Sequence, residues 1–195
     1  MVERFYRIAV TAALMASLGC TAVATEPDAL VPVTGCRRIM GAPWKIKVFA
    51  TDQALGETAI DAALQEVARL DTILSDYDPE SELSRLSAAA PMQKPVKVSD
   101  DLWNVLVAAE GFREASDGAF DITVGPLTTL WRQARRTGRL PREDKLAVAR
   151  TAVGGAGIQL DQKTQQVLLT KPVMRLDAGG IGMGYAADRA MDVLK

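Results

Sequence analysis

Two segments of the chain gather residue types suited to chemistry on a nucleotide. The first is Asp117-Gly118-Ala119-Phe120-Asp121-Ile122-Thr123-Val124-Gly125-Pro126, which joins a helix end to a helix start through acids, a hydroxyl and a Gly-Pro opening. Free N–H groups at the new helix N-terminus suit a phosphate, and Asp121 could accept a hydrogen bond from a sugar hydroxyl or a ring nitrogen. An Asp in this setting also reads as a cap or brace for its own loop. The second is Leu176-Asp177-Ala178-Gly179-Gly180-Ile181-Gly182-Met183-Gly184-Tyr185-Ala186-Ala187-Asp188. Glycines at a strand-to-helix junction let backbone approach a ligand closely and leave amides and carbonyls uncovered. Gly182-x-Gly184-x-x-Ala187 also meets the loose dinucleotide fingerprint, whereas close helix-on-strand packing would explain the same glycines without a ligand.

Aromatic residues make up only 5% of the chain, so each large flat group is worth locating. Trp103 and Trp131 fall near helix-face positions and read as core. Tyr77 lies in the polar run Ser75-Asp76-Tyr77-Asp78-Pro79, where burial explains an aromatic less easily. Arg37-Arg38 and Arg135-Arg136 read as solvated surface.

Composition bounds the chemistry further. The chain has 195 residues, 48% hydrophobic and 24% charged, which fits one globular domain with room for an appendage. A formal net charge of −1 gives no basic footprint for nucleic acid. The absence of histidine removes Ser-His-Asp and Cys-His catalysis and His-ligated metal from this chain. Cys20 and Cys36 are its two cysteines, too few for a disulfide framework or a Cys-rich metal site. Cys36 is expected to be buried and inert.

The elements that must position these segments follow from patterning. Residues 1–24 read as a secretory signal: Arg4 and Arg7, the apolar run Ile8 to Leu18, then Ala22-Val23-Ala24 as a cleavage site. Ser17-Leu18-Gly19-Cys20 competes as a lipoprotein box that would attach a lipid, and hence a membrane, to Cys20. Both readings put the protein outside the cytoplasm, in the periplasm or its equivalent. Residues 25–39 read as an N-terminal arm or linker, and Trp44 to Phe49 as a strand. From Glu57, the spacing of Ile60, Ala63, Leu64, Val67, Leu70 and Leu74 predicts a long amphipathic helix ending near Ser75. Ser81 and Ser99 are N-caps, the second for a helix that Gly118 stops. Lys94 to Val98 and Met174 to Asp177 read as short strands, Ala119 to Val124 as extended, and Gln159-Leu160 with Val167 to Leu169 as a hairpin. Gly125-Pro126 opens a helix, Pro141 another, and a last helix runs from Tyr185. That helix still lacks a stop signal at Lys195, so the chain is expected to be truncated there. The fold class is α+β, or mixed α/β, with helices packed on a sheet.

In order along the chain, Met40-Gly41, Ser75-Asp76-Tyr77, Ser81-Glu82-Leu83-Ser84-Arg85-Leu86, the first segment with Leu127, Leu130 and Trp131, and the second segment together resemble one family. It is the ApbE family of FAD:protein FMN transferases, extracytoplasmic enzymes that include many lipoproteins. The resemblance covers 40–195 as the N-terminal portion of a flavin transferase domain. It implies a Mg²⁺-dependent enzyme that splits FAD to AMP and attaches FMN through its phosphate to a Thr of a target flavoprotein, such as a subunit of an electron-transfer complex. By position, Met40, Tyr77, Ala119, Phe120, Asp121 and Asp177 match flavin-nucleotide contacts, and Gly180 matches a residue giving the metal its backbone oxygen. Met183 stands where the family commonly has Lys. The family is roughly twice as long as the mature domain here. Its later His-x-x-Asp-Pro-x-Thr-Gly motif is absent, so catalytic residues and the remaining metal ligands are expected downstream of Lys195. Three other readings predict different behaviour, the first being a catalytically incomplete fragment that would bind FAD without releasing AMP. A periplasmic protein that only binds or hydrolyses FAD would label no target, and a non-enzymatic dinucleotide-binding module would take NAD without Mg²⁺.

Overall fold

The computed structural model describes residues 30–195. The signal at 1–24, the lipid site at Cys20 and residues 25–29 of the arm lie outside the described residues. In chain order the elements are β1 (Val31–Ile39), β2 (Ala42–Ala50), α1 (Gln53–Leu74), α2 (Glu82–Ala88), β3 (Val96–Lys97), α3 (Asp100–Ala115), α4 (Gly125–Thr137), α5 (Glu143–Ala152), β4 (Ile158–Asp161), β5 (Gln166–Leu169) and α6 (Gly182–Val193). Among the described residues, no helix is long and apolar enough to cross a membrane.

The strands form two antiparallel sheets, one ordered β1-β2 and the other β3-β5-β4. This is an α+β arrangement with two small sheets in place of the one expected. Residues 31–39 form β1 and not an arm. Pairing from Val31↔Ala50 to Ile39↔Ala42 supplies the backbone partners that a local reading of Pro32 and a weak alternation does not reveal. Cys36 is exposed on this strand and not buried. The hairpin turns at Met40 and Gly41, both left-handed at φ 51° and 72°. Glycine takes that conformation freely, while Met40 must be held in it. Its N–H donates to Asp71 Oδ2 at 3.2 Å.

Helix α1 begins four residues before the expected Glu57, because the Asp52 side chain accepts from the Leu55 N–H and caps the first turn. Its predicted apolar face is buried throughout, from Ile60 to Leu74. That face packs on the hairpin with Val33 and Ile39, and α6 adds Ala186 and Ala190 to the same cluster. Two glycines set how closely hairpin and helix approach. A Cβ on Gly35 would collide with the Ile60 side chain, and one on Gly56 with Val33.

The second cluster joins Leu83 and Leu86 of α2, Leu102, Val105 and Leu106 of α3, and Val167 and Leu169 of β5 with Met174 and Leu176. Full burial of a Leu side chain is worth about 2 kcal/mol, so these layers dominate the cohesion of the domain. Ser81 and Ser99 cap α2 and α3 as expected, accepting from Ser84 N and Leu102 N. Gly138 closes α4 in the left-handed region. Trp103 is core, whereas Trp131 is half exposed on α4. Met174 to Asp177 is no strand: it makes one parallel bridge, Val124↔Arg175. Ala119 to Val124 consists mainly of turns, α5 starts at Glu143, and α6 starts three residues before Tyr185.

Candidate functional site

A cavity of about 520 Å³ lies where the hairpin turn, the end of α1 and the start of α6 meet. Met40, Gly41 and Asp71 line one side, Ser75, Asp76 and Tyr77 another, and Ala178, Gly179, Gly182 and Met183 the third, with Arg132 reaching in from α4. The size suits a small organic ligand.

Asp177 lies under the glycine junction and is buried. Its backbone is pinned before its side chain acts: Leu176 N–H donates to Ser87 Oγ at 3.0 Å, and Asp177 N–H to the Ile122 carbonyl at 2.8 Å. These bonds replace the ladder a strand would have made. Asp177 Oδ1 accepts from the Gly179 N–H at 2.9 Å. Oδ2 accepts from Thr128 Oγ1 at 2.6 Å and Arg132 Nη2 at 2.8 Å.

Arg132, itself partly exposed, bridges the two buried aspartates, since its other nitrogen donates to Asp76 Oδ2. Burial alone would lower its pKa, but the Asp76 hydrogen bond and the charges of Asp177 and Asp76 raise it, so the guanidinium stays charged. Its carbon lies 4.3 Å from the centroid of the Tyr77 ring. Tyr77 is otherwise 74% exposed and offers a flat face at the cavity mouth. Asp76, Thr128 and Arg132 were missed in the sequence. The only local trace was a Thr and an Arg four residues apart on one helix face.

The other predicted residues divide. Met40 and Tyr77 line the cavity and Asp177 supports its floor, while Ala119, Phe120 and Asp121 do not line it. Asp121 braces its own loop, with Oδ1 accepting from the Thr123 N–H at 2.8 Å and from Thr123 Oγ1 at 2.6 Å. Thr123 Oγ1 in turn accepts from Gly154 N–H at 2.7 Å. Phe120 packs edge-on against Phe112 and also meets the glycine junction: a Cβ on Gly180 would lie 3.0 Å from Phe120 Cε2. Among the described residues, no group of three or more His, Cys, Asp or Glu side chains could hold a metal ion. Gly180 therefore has no acidic cluster beside it. A Cβ on Gly182 would meet Ala178 and Leu74 only at ordinary contact distances of 3.6 and 3.7 Å, so close packing does not explain this glycine. The described sheets are antiparallel, so the fingerprint does not sit in a parallel βαβ unit.

Residues 40–195 match the ApbE family. The chain belongs to that family. It is 30% identical over 157 residues to the FAD:protein FMN transferase of Klebsiella pneumoniae (strain 342), covering 80% of this chain and 48% of that one. It is 29% identical over 168 residues to the Haemophilus influenzae FAD:protein FMN transferase, covering 81% and 47%. The chain thus spans about half the length of the curated relatives it matches. Among solved structures, the ApbE protein of Thermotoga maritima superposes with a TM-score of 0.73 at 28% identity, over 83% of this chain and 52% of the other. The Vibrio cholerae flavin transferase ApbE also gives 0.73, at 26% identity over 85% and 53%.

Proposed function

We propose that this chain carries the flavin-nucleotide-binding portion of an FAD:protein FMN transferase. In that reaction FAD is split, AMP leaves, and FMN is joined through its phosphate to a Thr of a target flavoprotein. The observation that carries the reading is the cavity at Met40 and Tyr77, floored by the glycine junction that Asp177 holds. Tyr77 offers a face for a flat ring, and the junction offers uncovered backbone for polar groups of a nucleotide. Asp177 acts by positioning: its bonds to Gly179, Thr128 and Arg132 fix the floor. Ala119, Phe120 and Asp121 belong to the proposal as a flank reached past Gly180.

Mg²⁺ enters as the ion that would offset charge on the diphosphate, with the Gly180 carbonyl as one hard oxygen ligand. The described residues do not by themselves fit a magnesium site. The signal reading at 1–24 supports an extracytoplasmic location, with a lipid on Cys20 as the anchored form. Targets are proposed to be Thr-bearing subunits of electron-transfer complexes.

The test titrates the chain with FAD, with and without Mg²⁺, and uses NAD as the competitor ligand. FAD should bind in preference to NAD, and Asp177→Ala and Asp177→Asn should each weaken it by about tenfold, near 1.4 kcal/mol. Unchanged FAD affinity in a folded Asp177→Asn chain overturns the assignment. Adding a Thr-bearing target peptide separates the activities. AMP with covalent FMN supports transfer, whereas AMP with free FMN makes the protein an FAD hydrolase.

A further inference from the structure

On the other side of the Tyr77–Arg132 stack lies a second groove of about 500 Å³, lined by Arg132, Arg135, Arg136 and Arg175 with Thr129 and Gln133. Four guanidiniums line it beside one carboxylate, Asp76; Arg132 is neutralised by Asp76 and by Asp177 beneath it, which leaves Arg135, Arg136 and Arg175 as the local excess. The chain as a whole has a net charge of −1, so this concentration is local. Outside the groove, Arg37, Arg69, Arg113, Arg142, Arg150 and Arg189 each pair with a carboxylate, while Arg38, Arg85 and Arg139 have no such pair among the described residues. Among the described residues, Arg135, Arg136 and Arg175 make no such pair. Arg175 donates instead to the Asp76 carbonyl. Clustered like charges repel one another and raise the local concentration of anions.

We infer that this groove docks an acidic stretch of the polypeptide that accepts the flavin. The inference rests on the transferase reading above. The groove is continuous with the candidate pocket, because Asp76, Tyr77 and Arg132 line both. A chain lying in it would pass beside the candidate pocket. From Thr129 to Arg136 the groove follows α4 for about 10 Å at 1.5 Å per residue. That length matches about three residues of extended chain. The uncovered glycine backbone that suits a nucleotide lies in the other cavity, which leaves this row of guanidiniums to carboxylates carried along a peptide.

The probe is a short fluorescein-labelled Asp/Glu-rich peptide carrying one Thr, with an Asn/Gln counterpart, read by anisotropy on the full chain at about 0.15 M salt. The acidic peptide should bind and the neutral one should not. Arg135→Glu with Arg136→Glu should weaken the peptide by about tenfold and leave the FAD titration unchanged. Arg139→Glu, exposed and outside the groove, should alter neither. Equal binding of the two peptides, or equal loss with Arg139→Glu, overturns the inference. So does displacement of the peptide by AMP together with weakened FAD binding in the double variant, which would give the groove to the nucleotide. Failure of FAD to bind, with groove-dependent acidic-peptide binding intact, sinks the transferase reading and leaves the acid preference standing.

Discussion

Asp121 and Asp177 both stand in glycine-flanked junctions, yet their carboxylates serve different ranges of the chain. Asp121 spends Oδ1 on Thr123, two residues away. Asp177 reaches Thr128 and Arg132, 49 and 45 residues away, and ties the junction to α4 and, through Arg132, to Asp76. One carboxylate shapes a turn; the other fastens three parts of the molecule around a cavity. Residue type and flanking sequence look alike in the two places, so the number of elements that share a charge is what separates a brace from a site.

The contrast can be broken by mutation. Asp177→Ala removes a buried carboxylate, leaves Arg132 with Asp76 alone and Thr128 with the Gly125 carbonyl, and should lower stability by about 2 kcal/mol in chemical denaturation. A double-mutant cycle between Asp177→Ala and Arg132→Met should give a coupling of about 1.5 kcal/mol, whereas Asp121→Ala with Arg132→Met, which share no partner, should add within about 0.5 kcal/mol. Asp121→Ala alone should cost about 1 kcal/mol, the loss of a local hydrogen-bond pair. Equal losses for the two aspartates would dissolve the comparison.

The smallest effect concerns Asp101, which braces the second junction from α3 by accepting from Tyr185 at 2.7 Å. Burial would raise its pKa, but hydrogen bonds from Tyr185 and Arg69 hold it below the ordinary 3.8. A carboxyl depressed in the folded state stabilises above its unfolded pKa and loses that contribution as pH falls through the folded value. Acid unfolding of Asp101→Asn should therefore be flatter than wild type below about pH 4, by less than about 1 kcal/mol. Identical acid limbs would show that the bond contributes nothing.

What could be read in the sequence was what neighbours in the chain decide. The apolar face of α1 and the caps at Ser81 and Ser99 emerged as expected, since helix spacing and capping are local chemistry. Strand β1 was missed because its definition comes from β2 opposite, and Met174 to Asp177 was misread because Ser87 and Ile122 take its N–H groups. The site divided in the same way. Met40, Tyr77 and Asp177 came through the family motif, while Asp76 and Arg132, whose partners lie 56 residues apart, had no local signature. Trp131 shows the converse error, a helix-face aromatic that α4 turns half into solvent.

The two notched contacts between hairpin and helix, Gly35 under Ile60 and Gly56 under Val33, behave as an index plate. Sliding the hairpin along α1 would lift one side chain out of its notch and jam the other against backbone. The hairpin is thereby denied translation, and the height of its tip is fixed. That tip is Met40, tethered to Asp71, about 16 Å along α1 from Ile60 at 1.5 Å per residue. The gauge of the cavity mouth is thus set by two absent methyl groups that never face it.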